Sequence, residues 1–329
     1  MTMRLARRTL LATLAAPALP PSLARAQADG FPSRQVRIVV PFPPGGGLDA
    51  LARALAEQLQ GAWGQAVVVD NRPGGSTVPG TDIVAKAAPD GHTLLITADN
   101  SITANPHLIR SLPHDPMKDL APVSLLVDVH QMVLVHPSVG ARSMAELVQA
   151  ARAAPGRFNF GSYGIASQPH LCFAALMARE KIEMVHVPYR GLTPAVLATL
   201  SGEVQMTLAG IASGARHIQA GTLRALAVGR PTRFEALPEV PTLAEAGFDY
   251  IDPRTWFGAF APGATPLALR ARIQRDIATA MAAPAVRDRH LVPAGYTVHA
   301  ATPEATAAFL QRDLAYKAGL IRTAGITPD

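Results

Sequence analysis

"QVRIVVPFPPGGGLDALARALAEQLQ", residues 35–60, decides the fold class. "QVRIVV" (35–40) has the β-branched, apolar composition of a strand. "LDALARALAEQLQ" places apolar residues at helical spacing. Between them lies a proline- and glycine-rich loop with no charge before Asp49. Working outward, "QAVVVD" (65–70) reads as a strand, "GTDIVAKAA" as a helix and "HTLLIT" (92–97) as a strand. That β-α-β-α-β order predicts a parallel, helix-flanked sheet.

The pattern restarts further on. Strands are expected at "QMVLVH" (131–136), "RFNFGS", "EMVHV" (183–187), "VQMTLA" (204–209) and "LRALAVG". Helices are expected at "SMAELVQAARAA", "QPHLCFAALMARE" and "TPAVLATLSG". After "TWFGAFAP" (255–262) the chain reads mostly as helix, too little for a third core. The expectation is an α/β protein with two domains, residues 31–127 plus 252–329 and residues 128–251. The chain then crosses between them twice, which creates a hinge and a cleft. Trp256 and Phe257 are expected to pack near the second crossover.

Composition limits the function classes. Of 329 residues, 49% are hydrophobic and 16% charged, which suits a chain with a substantial core rather than a disordered or coiled-coil one. The formal charge of +6 is concentrated at the start: Arg4, Arg7, Arg8 and Arg25 fall in the first 26 residues, with no acid among them. The rest carries 26 basic against 24 acidic residues, and no basic-aromatic stripe argues for nucleic acid. Residues 1–26 have a basic start, a short apolar stretch (Leu10–Leu19) and a small-x-small end at Ala24–Ala26. They read as an export signal, of the general secretory or twin-arginine kind, and predict a periplasmic protein. No later stretch is apolar enough to span a bilayer. The single cysteine, Cys172, lies in the apolar run "LCFAALM" and reads as a buried, inert thiol.

Ligands of α/β sheets sit where strand ends lead into helices. That nominates five loops: 41–49, 70–80, 97–101, 161–170 and 187–194. Each can offer unpaired N–H groups at a helix N-terminus, an arrangement that favours an anion. The first loop is not a nucleotide cradle. A phosphate-binding loop needs Lys-Ser/Thr after its last glycine, where Leu48 and Asp49 stand, and Ala50 replaces the last glycine of the dinucleotide fingerprint. Asp49 reads as a capping residue or a ligand contact, and Gly45–Gly47 as ligand-facing or as plain turn residues. Ser162, Ser167 and His170 could suggest a hydrolase, but neither serine sits in a G-x-S-x-G elbow. His170 reads equally as a packed histidine or one near a ligand. The remaining histidines show no metal-ligand spacing, so no metal or cofactor is expected.

"VPFPPGGGLDALARALAEQL", "VVVDNRPGG", "VAKAAPDGHTLLI", "DPMKDLAPVSLL", "VHVPYRG", "LRALAV" and "WFGAFAP" occur in this order. As an ordered set, from about Val36 to Gly325, they resemble the Bug-type periplasmic receptors of tripartite tricarboxylate transporters. The resemblance implies a periplasmic-binding-protein (Venus flytrap) fold, type II-like, closing on a small organic carboxylate. It also implies no enzymatic activity, a monomeric receptor and a two-subunit membrane transporter as partner. Family members hold a carboxylate mainly through backbone groups, hydroxyls and bridging waters. Carried over, the two loops are Pro43–Asp49 and Ser162–His170; the site residues expected in one jaw are Pro44, Gly45, Gly46, Gly47, Leu48 and Asp49, with Thr97 of the 97–101 loop nearby. In the other they are Ser162, Tyr163, Gly164, Ser167, His170 and Ala209. Leu48 stands where relatives often have a hydroxyl residue, Ala166 where many have glycine, and Ala209 where many carry an aspartate. The departures at Leu48 and Ala209 suggest a carboxylate without an α-ammonium and with an apolar part. Two other functions compete: a ligand sensor for a signalling system, which neighbouring genes would reveal, and a secreted hydrolase using Ser162 or Ser167 with His170, which would lose turnover in Ser167→Ala.

Overall fold

The computed structural model describes residues 30–165 and 167–327; the expected export segment and Ala166 lie outside the described residues. The first three strands, β1 (Val36–Val40), β2 (Val67–Asn71) and β3 (Thr93–Ala98), run parallel with β1 in the middle. Between β1 and β2 runs α1 (Gly47–Trp63), and before β3 comes α2 (Val78–Ala85). On α1, Leu48, Leu51, Ala52, Leu55 and Leu59 are buried in one stripe against the sheet. Full burial of each such leucine stabilises by about 1.5–3 kcal/mol.

The chain then forms β4 (Leu120–Val129), passes through His130 and continues as β5 (Gln131–Val135) in a second sheet. That sheet adds β6 (Asn159–Ser162), β7 (Val185–Pro188), β8 (Met206–Gly210) and β9 (Arg224–Val228). Its helices are α3 (Met144–Ala153), α4 (Gln168–Glu180), α5 (Leu192–Leu200) and α6 (Ile211–Gln219). The segment after β9 returns to the first sheet as β10 (Thr255–Pro262), followed by α7 (Leu267–Ala282), β11 (Thr297–Val298) and α8 (Pro303–Thr323). The sheet orders are β11-β4-β10-β3-β1-β2 and β7-β6-β8-β5-β9. Helices α7 and α8 both pack on β4, which returns the helical C-terminal stretch to the first sheet.

The structure differs from the sequence reading in two respects. First, both sheets are mixed. β10 runs antiparallel to β3 and β4, and β5 antiparallel to β8 and β9. Strands that carry the chain directly from one sheet to the other need no crossover helix, and an antiparallel partner accommodates them. Second, β4 and α6 have no counterpart among the elements read from the sequence. Pro122 interrupts the pattern of β4; it lies opposite Phe260 where the pairing with β10 shifts register, a tolerated place for proline. Gly214 interrupts α6, and a Cβ there would meet Met132 Cε at 2.9 Å and Leu134 Cδ1 at 3.0 Å. This glycine serves close packing of α6 on β5.

Candidate ligand-binding site

A cleft, partly open to solvent, lies between the two sheets. One wall is the β1–α1 loop, through Phe42, Pro43 and Gly46–Asp49. The facing wall is made by the first turns of α5 (Leu192, Thr193) and α6 (Ala212, Ser213). Val129 and Gln131, on either side of His130, and Thr255 and Phe257 of β10 come from the strands that join the sheets. Tyr163 and Tyr296 complete the lining used below.

The β1–α1 loop is tied by its own acid. Asp49 is buried, and its carboxylate accepts from Gly45 N–H (2.9 Å), Arg53 Nε (3.0 Å) and Asn71 Nδ2 (2.9 Å). Burial opposes the charge, but these donors outweigh it and hold the carboxyl below its ordinary value. Asn71 also donates to Phe42 O, so the end of β2 grips the loop from behind. The carboxylate therefore reaches back past Gly46, the residue that caps the helix, to the residue before it. Gly47 faces Tyr296; a Cβ on it would strike the Tyr296 hydroxyl.

Among the described residues, the cleft lining contains no lysine, arginine or histidine, and Asp49 is its one charged residue. The polar resources are instead dipoles. Helices α1, α5 and α6 all present first-turn residues to the cleft, where N–H groups lack intrahelical acceptors and the helix dipole is positive. Thr193 and Ser213 add hydroxyls. Burial pushes the Tyr163 and Tyr296 phenols well above their ordinary value, so both stay protonated donors. A single anion placed here meets several neutral donors. Beyond Phe42, Pro43 and Tyr163 lies a second, more polar chamber, lined among others by Ser76, Asn100 and the exposed Arg190.

Of the residues expected from the sequence, Gly46, Gly47, Leu48, Asp49 and Tyr163 border the cleft, and Gly164 borders the adjoining chamber. The others sit elsewhere. Pro44 is exposed, and Gly45 opens onto a neighbouring surface hollow. Thr97 is fully buried, its hydroxyl 2.5 Å from Ser101 Oγ. Ser162 is also fully buried; its hydroxyl contacts His186 Nε2 at 2.7 Å and Gly164 O at 2.9 Å. Ser167 Oγ donates to Gly164 O at 2.6 Å. His170 stacks on His186 at 3.9 Å, and burial lowers both imidazoles to a pKa of about 4. The two serine hydroxyls thus brace the loop from inside. Ala209 is wholly buried opposite Met132, and its neighbour Gly210 borders the cleft instead.

Sequence reasoning named the 187–194 loop without choosing Leu192 or Thr193, and gave no sign of Gln131, Ser213, Thr255 or Tyr296. Beneath the cleft it also missed an ionic cluster. Lys317 of α8 is 2% exposed and lies 2.5 Å from both Asp99 Oδ2 and Gln168 Oε1. Thr255 donates to Asp99, while Asp313 accepts from Thr103 (2.6 Å) and Trp256 (2.9 Å). Burial works against the Lys317 charge, but Asp99 and Asp313 outweigh it and raise its pKa; burial raises that of Asp313. Gln168 opens α4, so Lys317 links a helix of the first sheet to one of the second. Among the described residues no group of His, Cys, Asp and Glu could hold a metal, and no helix is long and apolar enough to cross a membrane. Cys172 is buried, and burial pushes its thiol pKa up.

Comparison with known proteins places this geometry. Residues 51–326 match the family described as "Tripartite tricarboxylate transporter family receptor". Protein BugT of Bordetella pertussis (strain Tohama I) is 36% identical over 299 residues, 91% of each chain. The structure of the periplasmic binding protein BugD superposes with a TM-score of 0.85 at 28% identity, over 91% of this chain and all of that one. R. palustris Rpa4515 with adipate gives a TM-score of 0.86 at 30% identity, with the same coverage. The two sheets joined by two crossovers are the two-domain Venus flytrap of these proteins, and the chain belongs to the Bug-type, tripartite tricarboxylate transporter receptor family.

Proposed function

We propose that this protein is an exported, monomeric solute receptor that binds a small organic carboxylate in the interdomain cleft. It then delivers the ligand to a tripartite tricarboxylate-type transporter with two membrane subunits. Residues 31–127 plus 252–329 form one jaw and residues 128–251 the other. The observation that carries this reading is the convergence of three helix N-termini on a cleft without a cationic side chain. Such a cleft can hold one carboxylate reversibly, through N–H and hydroxyl donors. The adipate in Rpa4515 supports a carboxylate as the ligand class. The expected contacts are Gly46, Gly47 and Leu48 from one side and Thr193, Ser213 and Tyr163 from the other.

The test is thermal unfolding of the protein purified from the periplasm against a panel of mono-, di- and tricarboxylates. A ligand at a hundred times its Kd stabilises by about 2.7 kcal/mol, a clear rise in Tm. Compaction in X-ray scattering with the same ligand would report closure. Absence of any shift across the panel would sink the receptor reading. Loss of uptake of that acid on gene deletion supports delivery to a transporter; intact uptake with a lost transcriptional response points to a sensor.

A further inference from the structure

We propose that the Tyr296 hydroxyl is a ligand donor, which holds the carboxylate together with the first N–H groups of α1. The proposal rests on the carboxylate-receptor reading and adds a residue to its site. Tyr296 lies immediately before β11 and borders the cleft, half-buried. Its hydroxyl stands over Gly47, the first residue of α1, where a Cβ would strike it. Among the described residues that hydroxyl has no hydrogen-bond partner. Nor is it sealed from solvent: six buried side-chain polar atoms lack a partner, and the Tyr296 oxygen is not one of them. Tyr163, Tyr189 and Tyr250 all engage their hydroxyls with protein groups, Gln131, Glu203 and Glu180. Tyr316 is exposed on α8. Tyr296 is thus the tyrosine whose hydroxyl is both unengaged and set in the cleft wall.

The helix start supplies the other donors. The first bond of α1 runs from Ala50 N–H to Gly46 O at 3.0 Å. The N–H groups of Gly47, Leu48 and Asp49 precede it and have no acceptor in the helix, and Gly46 offers them no side-chain cap. An O–H beside them donates in the same sense, so one carboxylate can accept from both. Two features hold the hydroxyl ready. The Tyr296 ring packs edge to face on Phe257 at 5.8 Å and 79°, which fixes its direction. Burial raises the phenol pKa, so the group stays protonated and puts no charge in the empty cleft.

Calorimetry on the purified protein and on Tyr296→Phe tests this, with benzoate, adipate and citrate as mono-, di- and tricarboxylate probes. The acid that binds the unmutated protein most tightly should bind Tyr296→Phe about ten-fold more weakly, the worth of one hydrogen bond to a charged group. The Tm of the empty variant should stay unchanged, because the hydroxyl it lacks has no partner in the protein. In the Gly47→Ala background the clash already displaces the hydroxyl, so there Tyr296→Phe should raise affinity. Loss in one background and gain in the other marks a donor; a ring that only packs gives no loss in the first. A crystal structure of the unmutated protein with the same acid, which needs no variant, should place Tyr296 Oη about 2.5–3.0 Å from a carboxylate oxygen. Unchanged affinity in Tyr296→Phe, or a carboxylate seated away from Oη, would overturn the assignment and leave the receptor reading intact. A lower Tm in the empty variant would reveal a protein partner for the hydroxyl and overturn it too. If none of the three acids binds, the assignment and the receptor reading fall together.

Discussion

The ligand cleft and the cluster beneath it meet negative charge in opposite ways. Asp99 faces a fully buried lysine, 2.5 Å away, as part of a permanent network with Gln168, Thr255, Trp256 and Asp313. Among the described residues, the cleft lining offers an incoming carboxylate no cation. A fixed buried carboxylate must be compensated in every molecule, or it takes up a proton or unfolds the chain. An exchangeable carboxylate must leave again, and neutral N–H and hydroxyl donors hold it without a charge that would stay uncompensated in the empty protein. Thr255 touches both, with its side chain on Asp99 and its body in the cleft wall.

The comparison can be broken most directly at Lys317. In Lys317→Met, Asp99 and Asp313 lose their buried cation, and unfolding free energy should fall by about 3–5 kcal/mol, measured by urea titration. A change under 1 kcal/mol would mean that the cluster is less desolvated than its geometry implies. On the cleft side, Gly47→Ala drives a methyl into the Tyr296 hydroxyl. Affinity for the panel's best carboxylate should drop by roughly ten- to a hundred-fold, the scale of 1–3 kcal/mol of overpacking strain. Adding Tyr296→Phe should recover much of that loss, because it removes the atom that clashes.

Asp49→Asn probes the one charge in the cleft wall. It keeps the shape of the loop but weakens the bonds to Gly45 and Arg53, at a cost of about 1 kcal/mol in stability. The sign of its pH dependence follows from the lowered pKa. The contribution of Asp49 is fully present above its ordinary value of 3.8 and is lost as pH falls through the lower folded value. Stability curves of the two proteins should therefore converge in acid and stay apart near neutrality. The smallest effect is expected at Ser167→Ala. Losing one hydroxyl on Gly164 O should cost under about 1 kcal/mol by thermal unfolding. The unmutated protein should show no turnover of ester substrates; turnover abolished by this substitution would reinstate the hydrolase.

The β1–α1 jaw was legible because its signals are local. The glycine run, the helical stripe from Leu48 to Leu59 and the missing Lys-Ser/Thr all lie within 26 residues. The 161–170 loop has a similar composition, yet its hydroxyls turn inward onto Gly164 and His186. The two loops differ in what stands behind them: Asn71 and Arg53 on one side, the stacked pair His170 and His186 on the other. Nothing in the loop sequences carries that difference. The strand β4 and helix α6 escaped notice because Pro122 and Gly214 break local patterns for reasons that exist only in their partners, Phe260 on β10 and Met132 on β5.

By itself the sequence determined the alternation of strands and helices, the α/β class and the family, since hydrophobic period and turn chemistry act between near neighbours. It also excluded nucleotide cradles at Gly45–Gly47. Only the tertiary structure decided which polar groups face the cleft. It brought Gln131, Thr193, Ser213 and Tyr296 to one space from four separate segments. It placed Lys317 against Asp99, 218 residues away in the chain, where only folding can desolvate both charges at once.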